Sequence, residues 1–372
     1  MRTSFRRHGR VLLAALGPLL LAAAPEGAPP AGSPPPGCVA PEVELLPNGQ
    51  ARTTLDVMTY NIEGLGFPAR TKRAPKLAEI GRRLDAMRDA GEAPDIILFQ
   101  EAFSDAAKNA VALAGYPHTV RGPGRRQTRE LPAAKEQRTG AGKRSIKRGE
   151  IGLKLSSGGL AIASRHPIVI HHAEPFAAKS CAGLDCFANK GALFARVAIP
   201  GAPDPIDVFD THMNSRRASK APTRRTLPIH HAQAAELGDF IDAVSEPAYP
   251  VLLGGDFNMR NSEARFDFLE PKLPLVLVHR FCLAPDAGCE IRMSWDGDAP
   301  WLDTQDLQFF RSGERVQVRP IRIEAAFDGS EDSPRLSDHD AYRVVYELTW
   351  PAHATTCDAR PRAGDAPVKP AR

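Results

Sequence analysis

The chain has 372 residues, of which 42% are hydrophobic and 25% are charged. This composition is ordinary for a globular protein and excludes a chain that is disordered throughout. The length allows one large α/β domain or two smaller ones, and the small net charge of +4 is unevenly distributed along the chain.

The N-terminus has the pattern of an export leader. Four arginines occur within residues 1–10, and an apolar run from Val11 to Ala24 is followed by Pro25. This pattern predicts a signal peptide over residues 1–24. A membrane anchor is the alternative, but this run is shorter than the roughly 18 apolar residues that span a bilayer. We therefore expect a secreted or periplasmic protein, with the export route left open.

A single mixed domain is predicted between two segments of low complexity. Residues 25–50 form a linker and lead-in rich in Pro and Ala, and residues 351–372 form a tail. Helical periods run from Leu77 to Met87 and from Ala234 to Val244. Their irregular alternation with strands favours a layered α/β fold over residues 51–350 and not a regular barrel. The predicted strands are Leu55–Tyr60, Ile96–Phe99, Leu160–Ala163, Ala192–Ile199, Ile206–Phe209, Val251–Leu253, Leu307–Phe310 and Tyr342–Leu348.

A basic segment covers residues 121–154, with eleven Lys and Arg residues against three Glu. Such a surface would attract nucleic acid or an anionic membrane. The segment is also rich in Gly and has no apolar period, so a solvated, mobile loop is the alternative. Both interpretations stay open at this point.

The six cysteines suit an oxidising compartment. Sequence alone does not fix their pairing, and one or two free thiols are the alternative. A bond between the two terminal cysteines would close a loop over the whole domain, which restricts the unfolded chain most. The pairs that we expect are Cys38–Cys357, Cys181–Cys186 and Cys282–Cys289.

Polar residues follow several of the predicted strands directly. Alone, each is more often a turn former than a functional residue. Their recurrence at the same strand end predicts one shared site, because the carboxyl ends of strands are where sites in open sheets gather. The residues are Asn61, Glu101, His212, Asp256 and Asn258, with Ser337, Asp338 and His339 just before the last strand.

This set of side chains favours hydrolysis of a phosphoester. Carboxylates and amides are the ligands of hard cations, so we expect Mg²⁺, with Mn²⁺ or another divalent cation as alternatives. No Cys and His spacing of the zinc type occurs, and neither a Gly-x-Ser-x-Gly elbow nor a Gly-rich phosphate loop is present. A metal would offset the phosphate charge while an imidazole takes a proton from water.

Five motifs resemble the ordered motifs of the endonuclease/exonuclease/phosphatase superfamily, and the resemblance spans residues 55–348. It implies a DNase I-like four-layer α/β sandwich, two packed mixed sheets flanked by helices. In that fold the termini approach one another, which would bring Cys38 and Cys357 together. The motifs are Thr59-Tyr60-Asn61, Phe99-Gln100-Glu101, Asp210-Thr211-His212, Gly255-Asp256-Phe257-Asn258 and Ser337-Asp338-His339.

The same resemblance implies roles for these residues. Glu101 would bind the metal with Asn61 near it, and Asp256 and Asn258 would position the phosphate and the attacking water. His339 would act as general base, oriented by Asp338. His212 would hydrogen-bond a phosphoryl oxygen. Asp306 resembles, more weakly, an acid that supports a catalytic histidine in this family.

One segment resembles the secreted bacterial neutral sphingomyelinase branch. Residues 181–192 contain the Asn189-Lys190-Gly191 sequence of that branch. The resemblance implies a phospholipid substrate, sphingomyelin or a relative, at a membrane surface. The branch also carries an exposed aromatic hairpin before Ser-Asp-His, whereas Arg311–Leu336 contains only Phe327. Trp295 and Trp301 are expected to pack against the core.

Two other functions stay open. The basic segment fits a secreted DNase I-like nuclease, because contacts from Lys and Arg to phosphates supply most non-specific affinity for nucleic acid. A non-catalytic binding protein on the same fold is the third alternative. The sequence gives no sign of an obligate protein partner.

Overall fold

The apolar runs form two β-sheets in this computed structural model, which describes residues 42–66, 70–293, 306–331 and 333–356. The described helices are α1 (Arg73–Asp89), α2 (Asp105–Leu113), α3 (Thr223–Val244), α4 (Glu263–Leu269) and α5 (Val278–Cys282). The described strands are β1 (Glu44–Leu45), β2 (Gln50–Asn61), β3 (Ile96–Gln100), β4 (His118–Arg121), β5 (Ala161–Ser164), β6 (Ile168–Pro175), β7 (Gly191–Val197), β8 (Ile206–His212), β9 (Val251–Asp256), β10 (Val276–Leu277), β11 (Glu290–Arg292), β12 (Asp306–Arg311), β13 (Gln317–Ala326) and β14 (Ala341–Pro351).

The strand order brings the two ends of the domain together. The first sheet has the order β11-β13-β14-β2-β3-β5-β4, with β1 also paired to β2. Its early strand β2 and its late strand β14 are therefore antiparallel neighbours in the interior of the sheet. The second sheet has the order β10-β12-β9-β8-β7-β6. Parallel pairs occur between β2 and β3 and between β8 and β9, which align the carboxyl ends of these strands.

Four layers result from the way in which these sheets are covered. The facing sides of the two sheets enclose a cluster that includes Val57 and Leu98 from one sheet and Val208 and Leu252 from the other. Helices α1 and α2 cover the outer side of the first sheet, and α3 and α4 cover that of the second. Each fully buried Leu, Val or Phe contributes about 1.5–3 kcal/mol. The predicted four-layer α/β sandwich is confirmed.

The two sheets are also joined by a polar contact. Gln308 of the second sheet donates to the carbonyl oxygens of Val57, at 3.0 Å, and Tyr342, at 3.2 Å, in the first. Nearby, a Cβ atom on Gly254 would overlap the hydroxyl of Thr59, so only glycine allows the sheets to approach this closely. This close approach holds the strand ends of both sheets at one edge.

The predicted strands all occur, with ends shifted by a few residues. Helix α3 begins eleven residues before the predicted period, at Thr223 instead of Ala234. Two predicted disulfides, Cys181–Cys186 and Cys282–Cys289, are formed. Among the described residues no helix has the length and apolarity needed to span a bilayer. The predicted leader, the pair Cys38–Cys357, and Trp295 and Trp301 lie outside the described residues.

The basic segment, residues 121–154, has a defined conformation with two short 3-10 turns. Three buried carboxylates hold it through its backbone. Glu174 accepts hydrogen bonds from the backbone N–H groups of residues 130 and 131, and Glu236 accepts one from that of Ala134. Glu150 accepts one from that of Ser145. These hydrogen bonds tie the segment to the rest of the fold.

Candidate active site at the shared strand edge

The strand register of the second sheet aligns three of the candidate residues. His212, the last residue of β8, is paired with Asp256, the last residue of β9. Asp256 is in turn paired with Asp306, the first residue of β12. Residues in register on neighbouring strands point to the same face of a sheet. An imidazole and two carboxylates therefore lie side by side, and all three are buried.

Asn61 connects this row to the first sheet. Its Nδ2 donates to Glu101 Oε1 at 3.3 Å and to Asp256 Oδ2 at 3.0 Å. Its Oδ1 accepts a hydrogen bond from the backbone N–H of Glu63 at 3.1 Å. One amide thus holds together two carboxylates from different sheets. In this orientation the amide nitrogen of Asn61 faces Glu101 and Asp256. Its oxygen can serve as a metal ligand there only if the side-chain amide flips.

Two of the site residues have backbone conformations that side-chain-bearing residues rarely adopt. Glu101 has φ of 61° and Asn258 has φ of 52°. The cost of such a conformation is about 1–3 kcal/mol, and it persists where surrounding contacts fix it. The backbone N–H of Asn258 donates to Asp256 Oδ1 at 2.9 Å, and its Nδ2 donates to the carbonyl of Met213 at 3.2 Å. The turn after β9 is therefore fixed in the shape that points Asn258 into the site.

The electrostatics of Glu101 fit a cation. The pKa of Glu101 is raised to about 7, mainly by burial and also by the nearby carboxylate of Asp256, against the opposing effects of Lys190 and His339. Two oxygen-donor carboxylates at such close range resist joint ionisation unless positive charge lies between them. Hard divalent cations prefer such oxygen donors. The oxygen donors of Glu101 and Asp256 are thus of the type that binds Mg²⁺ or Mn²⁺.

His339 is held by a carboxylate. Its Nδ1 lies 2.7 Å from Asp306 Oδ2, and its Nε2 lies 3.9 Å from Asp256 Oδ2. Burial alone would lower the pKa of His339, but the carboxylates of Asp306 and Asp256 outweigh it and hold that pKa well above its ordinary value. One atom each from these three residues also lies within 4.8 Å of the others, which is a spacing of metal-ligand type.

The expected role of Asp338 is corrected. Asp306, not Asp338, makes the hydrogen bond that orients His339. Asp338 lies 3.7 Å from Arg70 and its side chain is 53% exposed. The sequence places Asp338 next to His339, but the residue that faces the imidazole is set by the pairing of β12 with β9.

Lys190 belongs to the site, although sequence reasoning assigned it no role. Its Nζ lies 2.9 Å from His212 Nε2, and it donates to Asp185 Oδ2 at 3.1 Å and to the carbonyl of Met213 at 3.0 Å. Burial lowers the pKa of His212 well below its ordinary value, and the positive charge of Lys190 adds to that effect. His212 is therefore a neutral imidazole. In the sequence, Lys190 stood out only as part of Asn189-Lys190-Gly191, which indicated a branch of the family. That motif did not indicate the contact of Lys190 with His212.

Two buried arginines hold the loops of the site. Arg73 donates to the carbonyl oxygens of Ile62, at 2.8 Å, and Leu336, at 2.9 Å. It thereby ties the turn after β2 to the turn before His339. Arg265 does the same for the second sheet, donating to the carbonyl of Asn258 at 2.7 Å. Nothing in the local sequence distinguishes these arginines, because their partners are backbone atoms of distant segments.

Solved structures with the same fold include a sphingomyelinase, a magnesium-bound toxin and a DNA-bound protein. Sphingomyelinase C from Streptomyces griseocarneus is 22% identical, with a TM-score of 0.54, and the match covers 79% of this chain and 99% of that one. A magnesium-bound mutant of beta toxin from Staphylococcus aureus is 18% identical, with a TM-score of 0.54, and covers 78% and 99%. D. rerio TDP2 with a single-strand DNA product is 15% identical, with a TM-score of 0.51, and covers 79% and 98%. These likenesses show the fold.

The match to a sequence-family model is more specific. No curated protein sequence matches this chain significantly. The model described as the endonuclease/exonuclease/phosphatase family matches residues 58–339, which include every candidate residue of the site. This match extends over more than half of the chain and agrees with the fold of the solved structures. The chain belongs to the endonuclease/exonuclease/phosphatase family.

Proposed function

We propose that this chain is a divalent-metal-dependent phosphodiesterase that hydrolyses sphingomyelin or a related phospholipid outside the cytoplasm. The observation that carries the chemistry is the placement of His339, which is bound to Asp306 at 2.7 Å and stands beside the Glu101–Asp256 pair. A base of this kind beside two convergent carboxylates suits attack by water on a charged phosphorus centre.

Each residue of the site would carry out one part of the reaction. A divalent cation held by Glu101 and Asp256 would offset the negative charge of the phosphodiester. His339 Nε2 takes a proton from water as the water oxygen bonds to phosphorus. The bond from phosphorus to the leaving oxygen then breaks, and that oxygen takes a proton from solvent. Asn258 positions the phosphate, and the neutral His212 hydrogen-bonds a phosphoryl oxygen.

The phospholipid substrate is supported by the segment that carries Lys190. Residues 181–192 resemble the sphingomyelinase branch in sequence, and this segment runs beside His212. The solved sphingomyelinase C of the same fold adds support. Action outside the cytoplasm is supported by the disulfides Cys181–Cys186 and Cys282–Cys289.

A nuclease is the second candidate, favoured by the basic segment and by the DNA-bound TDP2 structure. The test is release of phosphocholine from sphingomyelin liposomes in Mg²⁺, with plasmid DNA as the parallel substrate. We expect lipid turnover that EDTA abolishes and that His339→Ala reduces by at least about a hundredfold. The matched control is His171→Ala, since His171 is exposed on β6.

Each outcome separates the candidates. Cleavage of DNA without lipid turnover would assign the chain to the nucleases. Turnover that persists in His339→Ala would overturn the proposed base. If neither substrate is hydrolysed while the chain is folded and metal is present, the proposed activity is wrong.

A further inference from the structure

The stretch from residue 143 to residue 155, here called the 143–155 surface, combines exposed aliphatic side chains with cations. Ile146 is 81% exposed, Leu153 is 55% exposed and Leu155 is 57% exposed, and Ile151 is also exposed. Isolated exposed aliphatic residues are normal on a protein surface, but several within ten residues mark an interaction site. The exposed cations interleaved with them are Lys143 and Lys147, and Arg144, Arg148 and Lys154 are partly buried.

The single acidic residue of the 143–155 surface is turned inward. Glu150 accepts hydrogen bonds from the backbone N–H of Gly183 and from Arg225 Nε, each at 2.9 Å, and from the backbone N–H of Ser145 at 2.7 Å. Its side chain is fully buried. Because this carboxylate is used within the fold, only positive charge remains on the exposed side of the stretch. The arrangement fits an anionic partner.

The fold holds the 143–155 surface at both ends. Arg225 of α3 donates to the carbonyl oxygens of Ala141, at 2.8 Å, and Gly142, at 2.9 Å. At the other end, the backbone N–H of Leu155 donates to the carbonyl of Phe187 at 2.7 Å. The exposed aliphatic residues therefore project from a braced segment, so little conformational entropy is lost when they bind.

The same surface is connected to the active site. Lys154 Nζ donates to the carbonyl of Ala188 at 3.0 Å, and Ser156 forms a β-bridge with Ala188. Two residues further along, Lys190 contacts His212 in the site. A partner seated on the 143–155 surface would thus lie on the side of the site where Lys190 and His212 stand.

We propose that the 143–155 surface docks the chain onto an anionic lipid bilayer, with Ile146, Ile151, Leu153 and Leu155 entering the interface and the exposed Lys143 and Lys147 contacting lipid phosphates. This inference deepens the proposed phospholipase function and rests on it for its purpose. Amphipathic surfaces with Lys, Arg and aliphatic residues bind membranes in this way. The one aromatic residue between Arg311 and Leu336, Phe327, is 4% exposed and stacks on Tyr60, so it does not supply docking there.

A nucleic-acid partner fits the 143–155 surface less well. Phosphate contacts use the cations but gain nothing from exposed aliphatic side chains. Bases stack mainly on aromatic residues, and residues 121–156 contain no Phe, Tyr or Trp. The lipid bilayer is the partner whose chemistry matches both components of the surface.

The test is sedimentation of the full chain with sucrose-loaded vesicles in EDTA, so that hydrolysis does not occur. One vesicle type contains phosphatidylcholine and sphingomyelin, and the other also contains phosphatidylserine. We expect Lys143→Gln/Lys147→Gln to lower partitioning onto the anionic vesicles by about 30-fold. We expect Ile146→Ser/Leu153→Ser to lower partitioning onto both types by about tenfold. The matched controls are Lys76→Gln/Lys272→Gln and Leu113→Ser/Leu283→Ser, which change exposed residues elsewhere.

The outcomes also separate this inference from the proposed activity. Equal sedimentation of the surface variants and the unaltered chain would overturn the docking, even if sphingomyelin is hydrolysed. If the unaltered chain binds vesicles, the surface variants do not, and no lipid is hydrolysed, the docking is supported and the proposed substrate is wrong. If the surface variants bind vesicles as the unaltered chain does but bind DNA less tightly, the surface belongs to a nucleic-acid partner. If the chain dimerises as its concentration rises and does not bind vesicles, the surface belongs to a second copy. A soluble phosphodiester should be hydrolysed equally by all variants.

Discussion

Buried carboxylates serve opposite purposes at the strand edge and under the basic segment. At the edge, Glu101 and Asp256 share a single amide donor, and burial raises the pKa of Glu101 to about 7. Under the basic segment, Glu150 accepts hydrogen bonds from two backbone N–H groups and from Arg225. Glu174 accepts two from backbone N–H groups and lies 3.7 Å from Arg129. Burial would raise the pKa values of both, but these hydrogen bonds and nearby cations outweigh it and hold them below the ordinary value.

The difference separates structural carboxylates from functional ones within a single chain. A buried carboxylate with several donors stabilises the fold, since the hydrogen bonds offset the cost of desolvation. A buried carboxylate that faces another one is short of positive charge and fits a cation. The strand edge is therefore arranged to receive a ligand, whereas the carboxylates under the basic segment already have donors or cations of the protein beside them.

The largest effect is expected for Asp306→Asn. This change leaves the shape of the site intact but removes the charge that orients His339, so we expect kcat to fall by about a thousandfold to ten-thousandfold. The carboxylate also raises the pKa of His339, so the acidic limb of the pH–rate profile should move to lower pH in the variant. The pH profile with sphingomyelin measures both, and an unmoved acidic limb would contradict the assignment.

Glu236→Gln tests a structural carboxylate. Glu236 accepts hydrogen bonds from the backbone N–H of Ala177 at 2.9 Å and from the hydroxyl of Ser180 at 2.7 Å, and it also holds the basic segment. An amide cannot accept all of these bonds, so unfolding in urea should show a loss of about 1–3 kcal/mol with activity retained. The matched control is Asp239→Asn on the exposed face of the same helix. A Glu236→Gln variant that is stable but inactive would show that Glu236 is one of the functional carboxylates.

Stability should depend on pH with opposite signs for Glu101 and Glu150. The folded-state pKa of Glu101 is about 7 against an ordinary 4.5, so the folded chain holds a proton that the unfolded chain releases. Without metal, Glu101 therefore destabilises the fold as pH rises from about 4.5 to 7. The folded-state pKa of Glu150 is below 4.5, so its contribution is lost as pH falls through that lower value. In EDTA, Glu101→Gln should flatten the first trend and Glu150→Gln the second. If the free energy of unfolding depends on pH with the same slope in both variants, Glu101 and Glu150 do not differ in this way.

The smallest effect is expected for Asp338→Asn. The side chain of Asp338 is half exposed and lies near Arg70, not in contact with the imidazole. We expect activity to fall by about tenfold or less, because solvent screens exposed charges. A loss as large as that of Asp306→Asn would restore Asp338 as the residue that orients His339.

The sequence predicts this site well where its residues belong to local patterns. His212 and Asp256 each end a short apolar run, and those runs became β8 and β9 with the site residues at their carboxyl ends. Strand β6 escaped prediction because its half-buried and exposed positions alternate and its apolar run is only three residues long.

Contacts between distant segments set the rest. Asp306 reaches His339 through the register of β12 on β9, which spacing along the chain does not specify. Arg73 and Arg265 act on backbone carbonyls and leave no local pattern. The local sequence does not distinguish Glu236 from other helical Glu residues, because its contact with the basic segment forms only in the folded chain. Such long-range pairings come from the packed fold, and local propensity does not contain them.

The central claim is that Glu101 and Asp256 hold a catalytic divalent cation. The most direct measurement is the turnover of sphingomyelin by the metal-stripped chain, before and after Mg²⁺ is added, beside Glu101→Gln. If the two carboxylates hold the cation, the stripped chain shows no turnover, Mg²⁺ restores it fully, and recovery in the variant is at least about a hundredfold less. Undiminished turnover without metal, or equal recovery in Glu101→Gln, would contradict it.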